Sequence, residues 1–388
     1  MSIALPPPSP ILAMAKRAAD LKAAGHKIID LTLGEPDFNA PLHVIEAAHS
    51  ALDTRKLGYS PASGLPELRK AISSAFERDR GLHYRDDEIA VGCGAKQIIF
   101  NAFLASIESG DEVIIPTPYW ASYPDMVGAC GGKPVIVDCS LMDSFRLKPE
   151  QLKAAITART RWLIINAPGN PSGVTYSAEH LQALGDVLLK YPHVMIMSDD
   201  IYAHIHFPDD GQSFNTLIKV VPQLRDRILT VDGVSKAYAM TGWRVGWGAG
   251  PKSLISRMIA IQSQNCTQTS TLSQLAAAQA LLGPQHCLKE RNDIYRERRD
   301  IALSILKSSA LLAVNTPDGA FYLFPKLIGA RNDGDGVANE LLHHYNVAVV
   351  PGSAFGVPDA FRLSFATDTQ ALIEGCKRIV EYIGKSHR

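Results

Sequence analysis

The chain has 388 residues, 46% of them hydrophobic and 20% charged, a globular composition long enough for one large core and a smaller second one. Lysine plus arginine and aspartate plus glutamate each number 39, so no whole-chain field gathers polyanions or anionic lipid, and nucleic acid and membrane are not expected partners. The six cysteines, at 93, 130, 139, 266, 287 and 376, have no CxxC spacing and read as reduced thiols rather than staples or a metal centre.

The start, MSIALPPPSP, has no basic segment followed by a long apolar run, and no later stretch reaches the roughly 18 apolar residues of a spanning helix, so a cytoplasmic protein is expected. Pro6, Pro7, Pro8 and Pro10 precede a helix-like stretch near residues 11–25, and KIIDLTLGEPDF then reads as a short strand entering a turn, an arm laid over the protein. From about residue 43, helical segments alternate with EIAVGCG, DEVIIPTP, KPVIVDC, RWLIINAPGNP, VMIMSDDIY, RILTVDGVSKAY and VGWGAG. Short buried strands separated by helices predict an α/β fold on a parallel-type sheet. Within this region AHIHF sets His204 and His206 on one face of a possible strand, but with no third ligand in view no metal is expected. A charged helical tract, LKERNDIYRERRDIALSILK, follows near 288–307, and beyond it AFYLFP, VAVVPG and FRLSF predict a second, α+β domain that the N-terminal arm completes. The expected division is an arm with part of the small domain at 1–42, a large domain at 43–287 and a small domain at 288–388. The functional site belongs where strand C-termini meet the domain boundary.

Chemistry concentrates in GVSKAYAMTGWRVGWGAG, residues 233–250. Lys236 sits just after a strand, where its amine can form an imine, and Arg244 nearby can hold a phosphate by a two-pronged ionic contact. SKAYAMTGWRVGW resembles the Schiff-base segment of fold-type I, class I aminotransferases. The resemblance runs along nearly the whole chain, through LGEPDF, GYSPASGLPELR, GAKQ, PTPYWASYP, NAPGNPSG, SDDIY, GAFY and FRLSF in the family's order. It is greatest to the bacterial aspartate aminotransferase branch. The resemblance implies a large domain on a mostly parallel seven-stranded sheet with a smaller α+β domain, and pyridoxal 5′-phosphate (PLP) carried on Lys236.

It further implies that Asp199 pairs with the pyridine nitrogen, keeping it protonated so that the ring accepts electrons. Successive strand residues point to opposite sides, so Asp200 is expected to face away. By the same resemblance Tyr202 and Asn170 hydrogen-bond the ring's phenolic oxygen, and Trp120 stacks on the ring and lines the substrate side. GCGAKQ, passing from strand to helix, is expected to offer the N–H groups of Ala95 and Lys96 to the phosphate. It is not GxGxxG, since after Gly92 and Gly94 the third position is Gln97, which argues against a dinucleotide site.

Many relatives have a phosphate-binding serine three residues before the lysine; this chain has Gly233 there, and Ser235 is the candidate to supply the hydroxyl. Arg362 matches the arginine that clamps the substrate α-carboxylate, a task its planar fork suits, with the N–H of Gly34 assisting. Tyr59 matches a tyrosine that reaches the neighbouring subunit's phosphate, which implies a homodimer with shared sites, and SQNCTQTS in relatives lies near the partner's site. The expected reaction moves an amino group from an acidic donor such as aspartate to a 2-oxo acid such as 2-oxoglutarate. Leu104 stands near where some members carry a basic residue for the distal carboxylate, which leaves Gln264, Asn265, Thr267 and Gln268 as neutral candidates. An aromatic or aliphatic donor, or C–S β-lyase chemistry, is the alternative.

Overall fold

The structure, a computed structural model, describes residues 10–210, 214–329 and 333–385. Pro6, Pro7 and Pro8 of the proline cluster lie outside them.

Fourteen strands are described: β1 Ile29–Asp30, β2 Ile89–Gly92, β3 Glu112–Pro116, β4 Lys133–Val137, β5 Thr160–Asn166, β6 Met195–Asp199, β7 Ile228–Gly233, β8 Gly246–Ala249, β9 Leu312–Ala313, β10 Tyr322–Leu323, β11 Lys326–Leu327, β12 Val347–Ala348, β13 Val350–Pro351 and β14 Phe361–Ser364. Seven of these form one sheet in the order β2-β8-β7-β6-β5-β3-β4. The pairs among β3 to β7 are parallel, whereas β8 runs antiparallel to both β2 and β7. VGWGAG therefore departs from the parallel reading: the segment that joins β7 to β8 holds only the single 3-10 turn Thr241–Trp243 and no crossover helix, and the chain folds back antiparallel.

Both faces of this sheet are covered, which is why its strands read as unbroken apolar runs. In β5, Leu163 and Ile165 enter one core together with Ile196 and Ile228. Trp162 and Ile164 enter the other with Met197, Leu229 and the helical residues Ile98 and Phe103. The two-residue period of a strand thus serves two cores at once.

The later strands assemble a separate antiparallel sheet in the order β10-β14-β13, and the N-terminal segment joins them through β1, which pairs in parallel with β12 as Ile29 opposite Val347. The helix Pro10–Ala23 buries Met14 and Ala18 in a third core with Tyr295, Phe321 and Leu341. AHIHF is not a strand: residues 201–205 form turns, and only an isolated bridge links His206 to Gly319. His204 instead lies against Asp79, its Nε2 3.5 Å from Oδ2. The turn follows from Asp199 and Asp200, whose local hydrogen bonds to Ile201 and Ala203 end the strand.

Candidate active site

A cavity of about 620 Å³ opens where β2, β5, β6 and β7 end, at their carboxyl edge. One wall comes from the loops after these strands, and the opposite wall from Gly34, Glu35, Tyr322 and Arg362.

At one end, β2 gives way to Gly94 and the helix Ala95–Ser106. Gly94 has φ 85°, and a Cβ there would stand 2.5 Å from Nη2 of Arg244; a Cβ on Gly246 would stand 2.3 Å from the Ala95 nitrogen. Both glycines are required so that a guanidinium and a helix N-terminus can share one corner. Arg244 donates to the carbonyls of Thr241 (2.8 Å) and Cys93 (3.2 Å). The first N–H groups of a helix have no intrahelical acceptor, and with Arg244 beside them the corner suits a phosphate. Ser235 lines the same cavity. Gly233 does not, for a physical reason: a Cβ there would lie 2.9 Å from the Val245 carbonyl, so a serine could enter only by pushing β8 aside.

Lys236 follows β7, and its ammonium donates to the Gly34 carbonyl at 2.6 Å. Burial pushes this lysine down to about 8, with Arg362 and Arg244 acting in the same sense and Glu35 opposing them. A value about 8 leaves roughly a tenth of the amine neutral at pH 7, far more than an unperturbed lysine provides.

Asp199 ends β6 with 3% exposure. Tyr123 donates to its Oδ2 at 2.6 Å, and Asn166, the last residue of β5, donates through Nδ2 to its carbonyl at 2.9 Å. Burial pushes the carboxyl up to about 6, against the Tyr123 and Ile201 donors that pull it down. Asp200 turns to the other side of the sheet as alternation requires, accepting from Ser198 (2.7 Å) and from buried Arg80 (3.0 Å), which also grips Asp232. Asp199 is thus the buried carboxylate facing the cavity, with no ion-pair partner among the described residues, whereas Glu35 on the opposite wall is exposed and accepts from the Thr241 hydroxyl; a protonated ring nitrogen would complete the Asp199 environment.

On the opposite wall Arg362 is 1% exposed. Its Nη1 donates to Asn170 Oδ1 (3.0 Å), its Nη2 to the Thr32 carbonyl (2.7 Å), and it lies 4.5 Å from the Tyr322 ring centre. Its buried Nε has no hydrogen-bond partner among the described residues. A desolvated cation with an orphaned donor beside a cavity is a receptor for a carboxylate. Tyr202 and Tyr322 share a hydrogen bond of 2.9 Å between their hydroxyls, and both line the cavity. Trp120 lines it as well, edge-on to Tyr123, with Lys96 Nζ 4.8 Å from its ring centre and 3.2 Å from Ser122 Oγ.

The remaining sequence candidates lie elsewhere. Tyr59 is 93% exposed, in a surface hollow with Gln268 and Thr271 outside this cavity. Gln264, Asn265, Thr267 and Gln268 do not line it either: Asn265 bonds Asn101, and Gln268 holds the Ser60 nitrogen. Leu104 is 48% exposed on the outer side of its helix, so its apolar character says nothing about the cavity within this subunit. The helical stagger explains this, because only Ala95, Lys96 and Ile99 of that helix reach the lining. Sequence reasoning assigned no role to Asn166, Tyr123, Tyr322 or Glu35. All four stand inside the motifs NAPGNPSG, PTPYWASYP, GAFY and LGEPDF, but which side chain of a loop turns inward depends on the packed neighbours.

For the PLP that the resemblance implies, the phosphate corner, the buried carboxylate of Asp199 and the amine of Lys236 fit its three distinctive groups. Among the described residues, no helix is long and apolar enough to cross a membrane. Residues 26–379 match the family described as aminotransferase class I and II. The chain is 48% identical over 382 residues to an aspartate aminotransferase of Rhizobium meliloti (strain 1021), covering 96% of this chain and 92% of that one. It is 47% identical over 387 residues to a probable aspartate/prephenate aminotransferase of Rickettsia felis, covering 97% and 94%. Among solved structures, the aspartate aminotransferase from Rhizobium meliloti superposes with a TM-score of 0.95 at 46% identity, covering 98% of each chain. That from Thermus thermophilus with maleate superposes at 0.91 and 37% identity, covering 97% of each.

Proposed function

The chain belongs to the class I and II aminotransferases, and from that premise we propose a transaminase that takes the amino group of aspartate and delivers it to a 2-oxo acid such as 2-oxoglutarate, with the site residues in the roles given below. The observation that carries the reading is the convergence of Lys236, Asp199, Arg244 and Arg362 on one cavity. When bound, PLP supplies the electron sink for the pair released at the substrate Cα.

The chain's own residues do the rest. Arg244, Ser235 and the N–H groups of Ala95 and Lys96 hold the phosphate, while Asp199, itself held by Tyr123, holds a proton on the ring nitrogen. Tyr202 and Asn170, which line the cavity, would hydrogen-bond the phenolic oxygen, and Trp120 would stack on the ring. Lys236 anchors the cofactor and, once freed, moves the proton at Cα; its depressed pKa leaves the amine able to accept it. Arg362, with the Gly34 N–H, fixes the α-carboxylate so that the Cα–H bond meets the lysine.

The donor's second carboxylate needs a cation. Of the four lysines and arginines lining the cavity among the described residues, three have the tasks just given, and the fourth is Lys96, on the Trp120 face. Lys96 thus takes the part for which the sequence offered only neutral groups near Leu104. Lys96→Met is expected to lower kcat/KM for aspartate by roughly 10- to 150-fold, the equivalent of one charged hydrogen bond of ~1.5–3 kcal/mol. Its kcat/KM for phenylalanine is expected to change little, so an unchanged aspartate-to-phenylalanine ratio removes Lys96 from this role. The reaction itself is tested by acceptor dependence: a transaminase turns over only with a 2-oxo acid present, whereas a β-lyase releases pyruvate and ammonia without one.

The working unit in this reading is a cytoplasmic homodimer divided as arm, large and small domain (1–42, 43–287, 288–388). Tyr59, exposed and outside its own cavity, is the residue that completes the partner's phosphate site. Mixing a Tyr59→Ala chain with a Lys236→Ala chain should therefore restore activity to one of the two sites in each heterodimer. Subunit exchange without any recovery counts against the shared site.

A further inference from the structure

The two walls of the cavity are held in register by a residue outside it. Arg291, on the helix His286–Leu306, donates from Nη1 to the Ala237 carbonyl at 2.9 Å and from Nη2 to the Asn39 carbonyl at 2.7 Å. The first acceptor is one residue from Lys236; the second belongs to the segment 34–39 that begins with Gly34, whose carbonyl takes the Lys236 ammonium. One planar guanidinium therefore joins the lysine loop to the wall the lysine faces.

The same helix grips that segment at two further points. Tyr295 meets the Phe38 ring edge-on at 5.4 Å, and Arg298 pairs with Asp37 at 2.9 Å. Positions 291, 295 and 298 lie on one helical face, so these contacts form a row along segment 34–39. Phe38 sits between the two arginines, 5.2 Å from the Arg291 guanidinium and 5.9 Å from that of Arg298. The row is not uniform: Arg298 holds segment 34–39 and the Thr369 hydroxyl, whereas Arg291 also holds the lysine loop.

We propose that Arg291 is a positioning residue that sets where the Lys236 amine stands relative to the Gly34 wall and hence to the substrate Cα. A displacement of about 1 Å between reacting groups costs on the order of 100-fold in rate, which makes such a clasp matter for turnover as well as for folding. Lysine cannot replace it, since a single ammonium on a flexible stem does not reproduce a fork that lies over the Phe38 ring and bonds two carbonyls at once.

The inference rests on Lys236 as the reacting amine, a reading that wild-type turnover and the Lys236→Ala variant test separately. The test uses the PLP-loaded enzyme with aspartate and 2-oxoglutarate. Arg291→Met is expected to lower kcat by roughly 10- to 100-fold, while KM for aspartate stays within about 3-fold because Arg362 is untouched. Arg291→Lys is expected to fold, bind PLP and recover only part of kcat, and in both variants the pH midpoint of the cofactor's visible absorbance moves. Arg298→Lys, which loosens the same segment but not the lysine loop, is expected to lower Tm and leave that midpoint and kcat in place. Should Arg291→Met fail to fold, Arg291→Lys decides alone. Wild-type kcat and midpoint in the Arg291→Lys enzyme, or equal loss of kcat in Arg291→Lys and Arg298→Lys with neither midpoint moved, overturns the proposal.

Discussion

Lys236→Ala is expected to lose transamination by roughly 10⁴-fold or more while the fold and a weaker, noncovalent affinity for PLP persist. The size of the loss follows from two functions resting on one amine. Lys236 is the nucleophile that anchors the cofactor, and it is also the group placed to move the Cα proton. Among the described residues lining the cavity no second base stands ready: Lys96 is turned onto Trp120 and Ser122, and the other two cations are guanidinium groups, which proteins do not deprotonate. The fold is expected to survive because Lys236 is half-buried, its ammonium bonds only the Gly34 carbonyl among the described residues, and desolvation already disfavours its charged form. The measurement is turnover with aspartate and 2-oxoglutarate beside the thermal midpoint of the same preparation. Turnover within tenfold of wild type would remove Lys236 from the chemistry altogether.

Asp199→Ala is expected to cost roughly 10³-fold in kcat, the scale of losing a preorganised charge aimed at the reacting system. Asp200→Ala is expected to cost less than about tenfold, although the two carboxylates are adjacent and equally buried. Stability should respond in the opposite order. Asp199 has no ion-pair partner among the described residues, so its loss removes a desolvation penalty that offsets the acceptor lost to Tyr123. Asp200 is paired with buried Arg80, and breaking such a pair typically costs about 3–5 kcal/mol, which a fall in Tm will record. The two variants together therefore separate rate from stability, and equal rate losses would show that the wrong carboxylate has been set against the ring nitrogen. Because burial holds Asp199 up near 6 in the free protein, PLP is expected to bind with its ring nitrogen protonated most readily above that pH, where the carboxylate is already charged.

Much of this was legible in the order of residues alone, for reasons that are local. Strands β5 and β6 announce themselves because a strand buried on both faces must be apolar at successive positions. The division of labour between Asp199 and Asp200 follows from the two-residue period of β6, a covalent fact that needs no knowledge of neighbours. The strand-to-helix passage at GCGAKQ was likewise readable from its glycines, and the structure gives the reason for two glycines in contact, Gly94 and Gly246, each lacking room for a Cβ. What failed were statements about where a side chain goes once segments pack. The sequence sets Leu104 near a substrate-binding position, yet it lies on the outer side of its helix, while Lys96, eight residues earlier, reaches the cavity. AHIHF looked like a strand, but the hydrogen bonds of Asp199 and Asp200 fold it into turns. The contacts that build the site join residues far apart in the chain, Lys236 to Gly34 across 202 positions and Arg362 to Thr32 across 330. A periodic pattern states which face of an element is apolar; it does not state which distant loop will lie against it. That pairing is decided only when the cores close, and it alone makes one cavity of Lys236, Asp199, Arg244 and Arg362.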